Sequence, residues 1–242
     1  MFKTIVKNNY DEVSDEAFKV MKEVLDNTEK PVLGLATGSS PVGLYQRMIK
    51  DHEENGTSYQ NAVSFNLDEY VGLPENHPQS YRYFMNENLF DHIDIPKENT
   101  HVPNGNAEDE EQACRDYEAN LKKYTVDIQV LGIGSDGHIA FNEPGTPFTS
   151  ETHLMKLTEQ TRKDNARFFD GDITQVPEEA ITQGLASIMR AKKIILIATG
   201  KNKAEAVAHM INGEKSEACP ASILQDHPDV TVVLDQDAAS LL

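Results

Sequence analysis

Asp136, His138 and Glu143 fall within one short stretch, Gly134-Ser135-Asp136-Gly137-His138-Ile139-Ala140-Phe141-Asn142-Glu143-Pro144. A histidine flanked by carboxylates can shuttle protons, because the carboxylates hold its tautomer and stabilise its cation. The same three side chains could ligate a metal, or form a hydrogen-bonded structural loop, and spacing alone leaves all three readings open. Gly132-Ile133-Gly134-Ser135-Asp136-Gly137 also matches the dinucleotide fingerprint G-x-G-x-x-G after a strand-like run. That fingerprint requires a helix directly behind it. Pro144, Gly145 and Pro147 follow instead, so NAD binding is rejected.

A second carboxylate stands out in Phe65-Asn66-Leu67-Asp68-Glu69-Tyr70. Asp68 at the end of a buried strand is costly unless it is paired or functional. Such a site could raise its pKa and suit it to take a proton next to a carbonyl. The alternative is an N-cap or loop carboxylate. Thr37-Gly38-Ser39-Ser40-Pro41 combines a glycine turn, hydroxyls and a helix start, the parts of a phosphate cradle. No Gly-Lys-Ser/Thr follows, so it is not a Walker A loop, and an ordinary capped βα turn is the other reading. Lys203, in Gly200-Lys201-Asn202-Lys203, reads as an anion contact or as a solvated helix start. Lysine there opposes the helix dipole, which favours the anion role. Arg167 could reach over the same site or be a surface arginine.

Charge decides how such donors must work. Lys plus Arg number 22 against 40 Asp plus Glu, a formal net charge of −18. Nucleic acid and anionic membranes are poor partners for this chain. An anionic metabolite would need a local cluster of donors, and Thr37 to Ser40, Arg167 and Lys203 supply one.

The elements that must position these residues follow from apolar periodicity. Short apolar runs alternate with amphipathic stretches, predicting a single α/β domain over 1–242 with a mostly parallel sheet and helices on both faces. Strands are expected at 32–36, 63–67, 127–133, near 153–158, at 194–198 and at 230–234. Helices are expected from near Asp11, from Pro41 with Ser40 as N-cap, from Pro78, over 108–124, from Pro177 through Met189, and from Lys201. The polar motifs then sit at strand ends, where ligands bind in such sheets. The charged segment 145–175 is expected to act as a mobile lid. No apolar run reaches the length of a membrane span and the N-terminus does not read as a signal peptide. Cys114 and Cys219 fit no metal or redox spacing. A cytoplasmic protein is expected.

Asn66-Leu67-Asp68-Glu69-Tyr70-Val71-Gly72-Leu73-Pro74 and Gly134 to Pro144 resemble the signatures of the glucosamine-6-phosphate deaminase family. The likeness continues through Ser80-Tyr81, Arg167 to Asp170 and Gly200 to Ala204. It implies a modified Rossmann-like fold whose substrate is an amino-sugar phosphate. It implies that Asp68 moves a proton from C2 to C1, that His138 opens the sugar ring, and that Asp136 and Glu143 assist it. Thr37, Gly38, Ser39, Ser40, Arg167 and Lys203 fall where the family holds the 6-phosphate, and Gly137 belongs with the substrate-binding residues. No metal or other cofactor is implied. Related 6-phosphogluconolactonases, or a silent sugar-phosphate sensor, are the competing readings. Larger family members carry an Arg-x-Lys pair that helps bind an effector between subunits. Here His153 and Met155 stand at those positions, and the chain stops at Leu242. The resemblance therefore implies a non-allosteric monomer or small homo-oligomer.

Overall fold

The computed structural model describes residues 1–242. Its centre is a seven-stranded sheet of β1 (Lys3–Lys7), β2 (Val32–Leu35), β3 (Val63–Asn66), β5 (Thr100–His101), β6 (Ile128–Leu131), β9 (Lys193–Ala198) and β10 (Val230–Asp235). The order is β1-β10-β9-β6-β2-β3-β5, and every neighbouring pair is parallel. β2 and β6 are buried at every residue, as strands covered on both faces must be. Helices flank the sheet, chiefly α1 (Tyr10–Asn27), α2 (Val42–Asn55), α4 (Glu110–Leu121) and α7 (Ala204–Asn212). In α1, Val13, Ala17 and Met21 recur at helical spacing and are fully buried. Asn9 caps that helix by accepting from the Glu12 amide. One continuous cluster of 46 buried residues spans sheet and helices, so the chain builds one main core. No helix is long and apolar enough to cross a membrane.

A second, antiparallel sheet lies beside the first, in the order β4 (Asp68–Tyr70), β8 (Glu179–Thr182), β7 (His153–Lys156). It modifies one sequence expectation and overturns another. Asp68 stands just past the end of β3, but it also begins β4, with Leu67 alone between the two strands. The helix expected from Pro177 is β8 followed by a short α6 (Leu185–Met189). Ala180, Ile181 and Thr182 are buried in succession, and a run buried on both faces of a strand has the same apolar pattern as a buried helix. Two helix starts also move. The segment after Pro78 becomes helical only at α3 (Tyr81–Asn88), where Ser80 caps it by accepting from the Tyr83 amide. Ser40 is not the cap of α2: Pro41 holds that position, with no side-chain cap. β1 and β5 were not expected from the sequence; one is an exposed edge and the other spans two residues.

Candidate active site

The strand ends open on a cavity of about 240 Å³. Thr37, Gly38, Ser39 and Ser40 line it from the end of β2, Asp68 from the start of β4, and His138 from the loop after β6. Lys203 enters from the turn after β9, and Arg167 from the segment that follows α5 (Glu159–Asn165). Eight of the eleven expected residues thus share one cavity. Asp136, Gly137 and Glu143 lie behind the lining. Gly137 has φ +87, and a Cβ there would meet Cys219 Sγ at 2.7 Å, so its glycine serves a close approach under the loop.

Asp68 is 6% exposed and its carboxylate makes no hydrogen bond within the protein. Burial raises its pKa well above the ordinary carboxylate range, and the neighbouring Glu69 charge raises it further. Glu69 itself points elsewhere. Its Oε1 accepts from the amides of Tyr70 and Tyr81, both at 2.9 Å, and its Oε2 from the amide of Arg82 at 3.0 Å. It therefore anchors the first turn of α3, with its pKa raised to about 7 by burial that these bonds only partly offset. Alternation along β4 separates the two carboxylates. One is spent on structure and the other is left free at the cavity. The sequence reading missed the role of Glu69, because its partners lie 12 and 13 residues away.

The His138 ring lies against Gly134, where a Cβ would fall 2.2 Å from Cε1. Only glycine permits that stacking. Asp136 Oδ1 accepts from the His138 amide at 3.1 Å and stands 2.7 Å from Nδ1, at an angle short of a straight hydrogen bond. Glu143 Oε2 is 3.7 Å from the same nitrogen. Burial works against the Asp136 anion, but the nearby His138 ring, its charge and the His138 amide together outweigh it and bring the pKa down to about 2. Burial raises the pKa of Glu143. The two carboxylates behind one imidazole are thus pushed apart, which suits one to stay ionised and the other to exchange a proton. The loop is fixed from below by Asn142, whose Nδ2 donates to the carbonyls of Ile139 and Gln183 at 3.0 and 2.9 Å. Asp136, His138 and Glu143 also bring one ligand atom each within 4.8 Å of one another. Asp136 and Nδ1 are in direct contact, whereas two ligands on one zinc, each at ~2.0–2.2 Å, would stand roughly 3 Å or more apart. A metal held by both Oδ1 and Nδ1 would require this pair to separate.

Arg167 and Lys203 form no ion pair. Burial lowers the Lys203 pKa, and the Arg167 charge lowers it further. Arg167 lies over the Phe168 ring, 4.7 Å from its centroid. Asp164 and Asp136 act on Lys203 only from beyond ion-pair distance, and two cations held near each other with no carboxylate in contact form a site prepared for an anion. Tyr81, Phe141 and Phe169 supply an apolar wall beside it.

This fold and site define a known class. Residues 7–233 match the family described as Glucosamine-6-phosphate isomerases/6-phosphogluconolactonase, and the chain belongs to that family. The glucosamine-6-phosphate deaminase of Thermoanaerobacter pseudethanolicus is 49% identical over 99% of this chain and 95% of its own. That of Shouchella clausii is 52% identical over 96% of this chain and 94% of its own. The solved structure of a monomeric glucosamine-6-phosphate deaminase superposes with a TM-score of 0.97 at 46% identity, covering 99% of this chain and 100% of that one. A 6-phosphogluconolactonase from Trypanosoma brucei reaches 0.82 at 20% identity, over 100% and 99%, which is a likeness of fold.

Proposed function

We propose that this protein is a glucosamine-6-phosphate deaminase, converting glucosamine 6-phosphate and water to fructose 6-phosphate and ammonium. The observation that carries the reading is Asp68: a buried carboxylate with no hydrogen bond, in one cavity with His138 and two unpaired cations. Lactone hydrolysis needs no base for a carbon-bound proton; isomerisation does. The relatives at about half identity bear the same activity in their names.

In this reading the 6-phosphate is held by Thr37 to Ser40, Arg167 and Lys203. His138 moves the proton that opens the pyranose ring, with Asp136 keeping its charge and Glu143 exchanging a proton. Asp68 removes the C2 proton, giving an enolamine. Return of a proton to C1 gives the C2 imine, and water hydrolyses it to the ketone and ammonium. Nitrogen at C2 supplies the electron pathway, so the steps call for neither metal nor redox cofactor. A segment expected to cover the site over 145–175 is read here as 158–175, a choice supported by the pairing of β7 with β8. The enzyme is read as a monomer or small oligomer of the cytoplasm, where buried free thiols such as Cys114 and Cys219 persist.

The test offers both sugar phosphates to the purified protein. Glucosamine 6-phosphate should yield one ammonium per fructose 6-phosphate, while 6-phosphogluconolactone is not hydrolysed above background. Lactone hydrolysis without ammonium would transfer the protein to the other branch of its family, and binding without turnover would make it a sensor.

A further inference from the structure

We infer that Tyr10 positions the phosphate-binding loop, by capping α2 in place of Ser40 and leaving the Ser40 hydroxyl free to donate to the anion. The inference rests on the phosphate site proposed above.

A serine directly before a Pro-started helix ordinarily turns its hydroxyl back onto the first free amides. Here it does not. The N-cap of α2 carries no side-chain bond, and Ser40 Oγ makes no hydrogen bond within the protein. It lines the cavity and lies 3.8 Å from where a Cβ of Gly132 would stand. The free amide is met from another helix. The Gly43 amide donates to the Tyr10 hydroxyl at 2.8 Å. That hydroxyl donates in turn to the Ser39 carbonyl at 2.7 Å, with the Ser40 carbonyl at 3.2 Å.

Two consequences bear on an anion. Oxygens that would repel it are tethered on the α1 side of the loop. The one hydroxyl that would otherwise be consumed in capping is released to the cavity. Close packing makes this arrangement specific: a Cβ on Gly43 would stand 2.0 Å from Ser14 Oγ and 3.2 Å from Tyr10 Cε1. α1 reaches the loop only because residue 43 is glycine.

Tyr10 is thus a positioning residue, and a double-mutant cycle isolates it. Inorganic phosphate is titrated calorimetrically into wild type, Tyr10→Phe, Ser40→Ala and the double variant, and KM and kcat for glucosamine 6-phosphate are measured alongside. Tyr10→Phe should weaken phosphate about fivefold and raise KM in step, with kcat within about twofold. In the Ser40→Ala background the same change should cost less than about 1.5-fold, because the two act through one hydroxyl. Factors that multiply in the double variant, an unchanged phosphate affinity in Tyr10→Phe, or a wild type that binds no phosphate would each overturn the inference. Coupled phosphate binding in a protein that releases no ammonium would support it while contradicting the deaminase reading.

Discussion

Asp68 and Glu69 are adjacent, buried and acidic, yet only Glu69 is hydrogen-bonded. The folded chain therefore keeps Asp68 at a cost. Its carboxyl holds a proton to higher pH in the folded state than in the unfolded one. Stability is accordingly lower above the raised pKa and recovers as pH falls toward the unfolded value near 4. Asp68→Asn should lose turnover by about 10²–10⁴-fold. It should also melt higher at pH 8, by at least about 2 °C for a chain of this size, with the gap closing near pH 4. Thermal unfolding at the two pH values checks this, and an equal or lower melting point at pH 8 contradicts it. The cluster behind His138 gives a second test. Dialysis against a chelator should leave activity intact; loss restored by zinc or manganese would convert Asp136, His138 and Glu143 into ligands. Asp68, His138 and the cations were legible because residue type and strand end are local properties. Glu69 and Tyr10 were not, because their partners sit on other elements, as far as 33 residues away.

The elements differ in how firmly they hold the site. The segment up to Lys156 is bound in a ladder with β8, whereas α5 and the turn after it pack on a small cluster around Tyr70, Phe141 and Phe169. Asn165 adds one bond to the Tyr70 hydroxyl at 2.9 Å. Saturating phosphate should therefore slow amide hydrogen exchange in 158–175 and leave 153–156 unchanged. Equal protection of both segments, or of neither, would remove the narrowed lid. The parallel sheet was readable from apolar runs at β2, β3, β6, β9 and β10, each covered on both faces. The second sheet was not. β8 looks helical because burial on both faces erases the alternation that marks a strand, and β4 is too short to be separated from β3 by pattern.

At the scale of the whole molecule, regulation and chemistry make separable demands. β7 carries His153 and Met155, where the resemblance puts the Arg-x-Lys pair of larger family members, and the exposed Lys156 alternates to the other face. Without fixed cations there is no differential affinity for an anionic effector. Substrate curves should be hyperbolic, unaffected by N-acetylglucosamine 6-phosphate, with a monomer or small oligomer in sedimentation. A sigmoidal curve made hyperbolic by that compound contradicts this. The chemistry is tested most directly by converting C2-deuterated glucosamine 6-phosphate in water and the unlabelled substrate in deuterium oxide, and reading the sugar product by NMR. A deaminase working through Asp68 draws the new C1 hydrogen of fructose 6-phosphate from C2 or from solvent, so deuterium appears at C1 in at least one of the two, with one ammonium per sugar and no product from an Asp68→Asn variant that still binds phosphate. Deuterium at C1 in neither, or near-normal turnover in that variant, would contradict it.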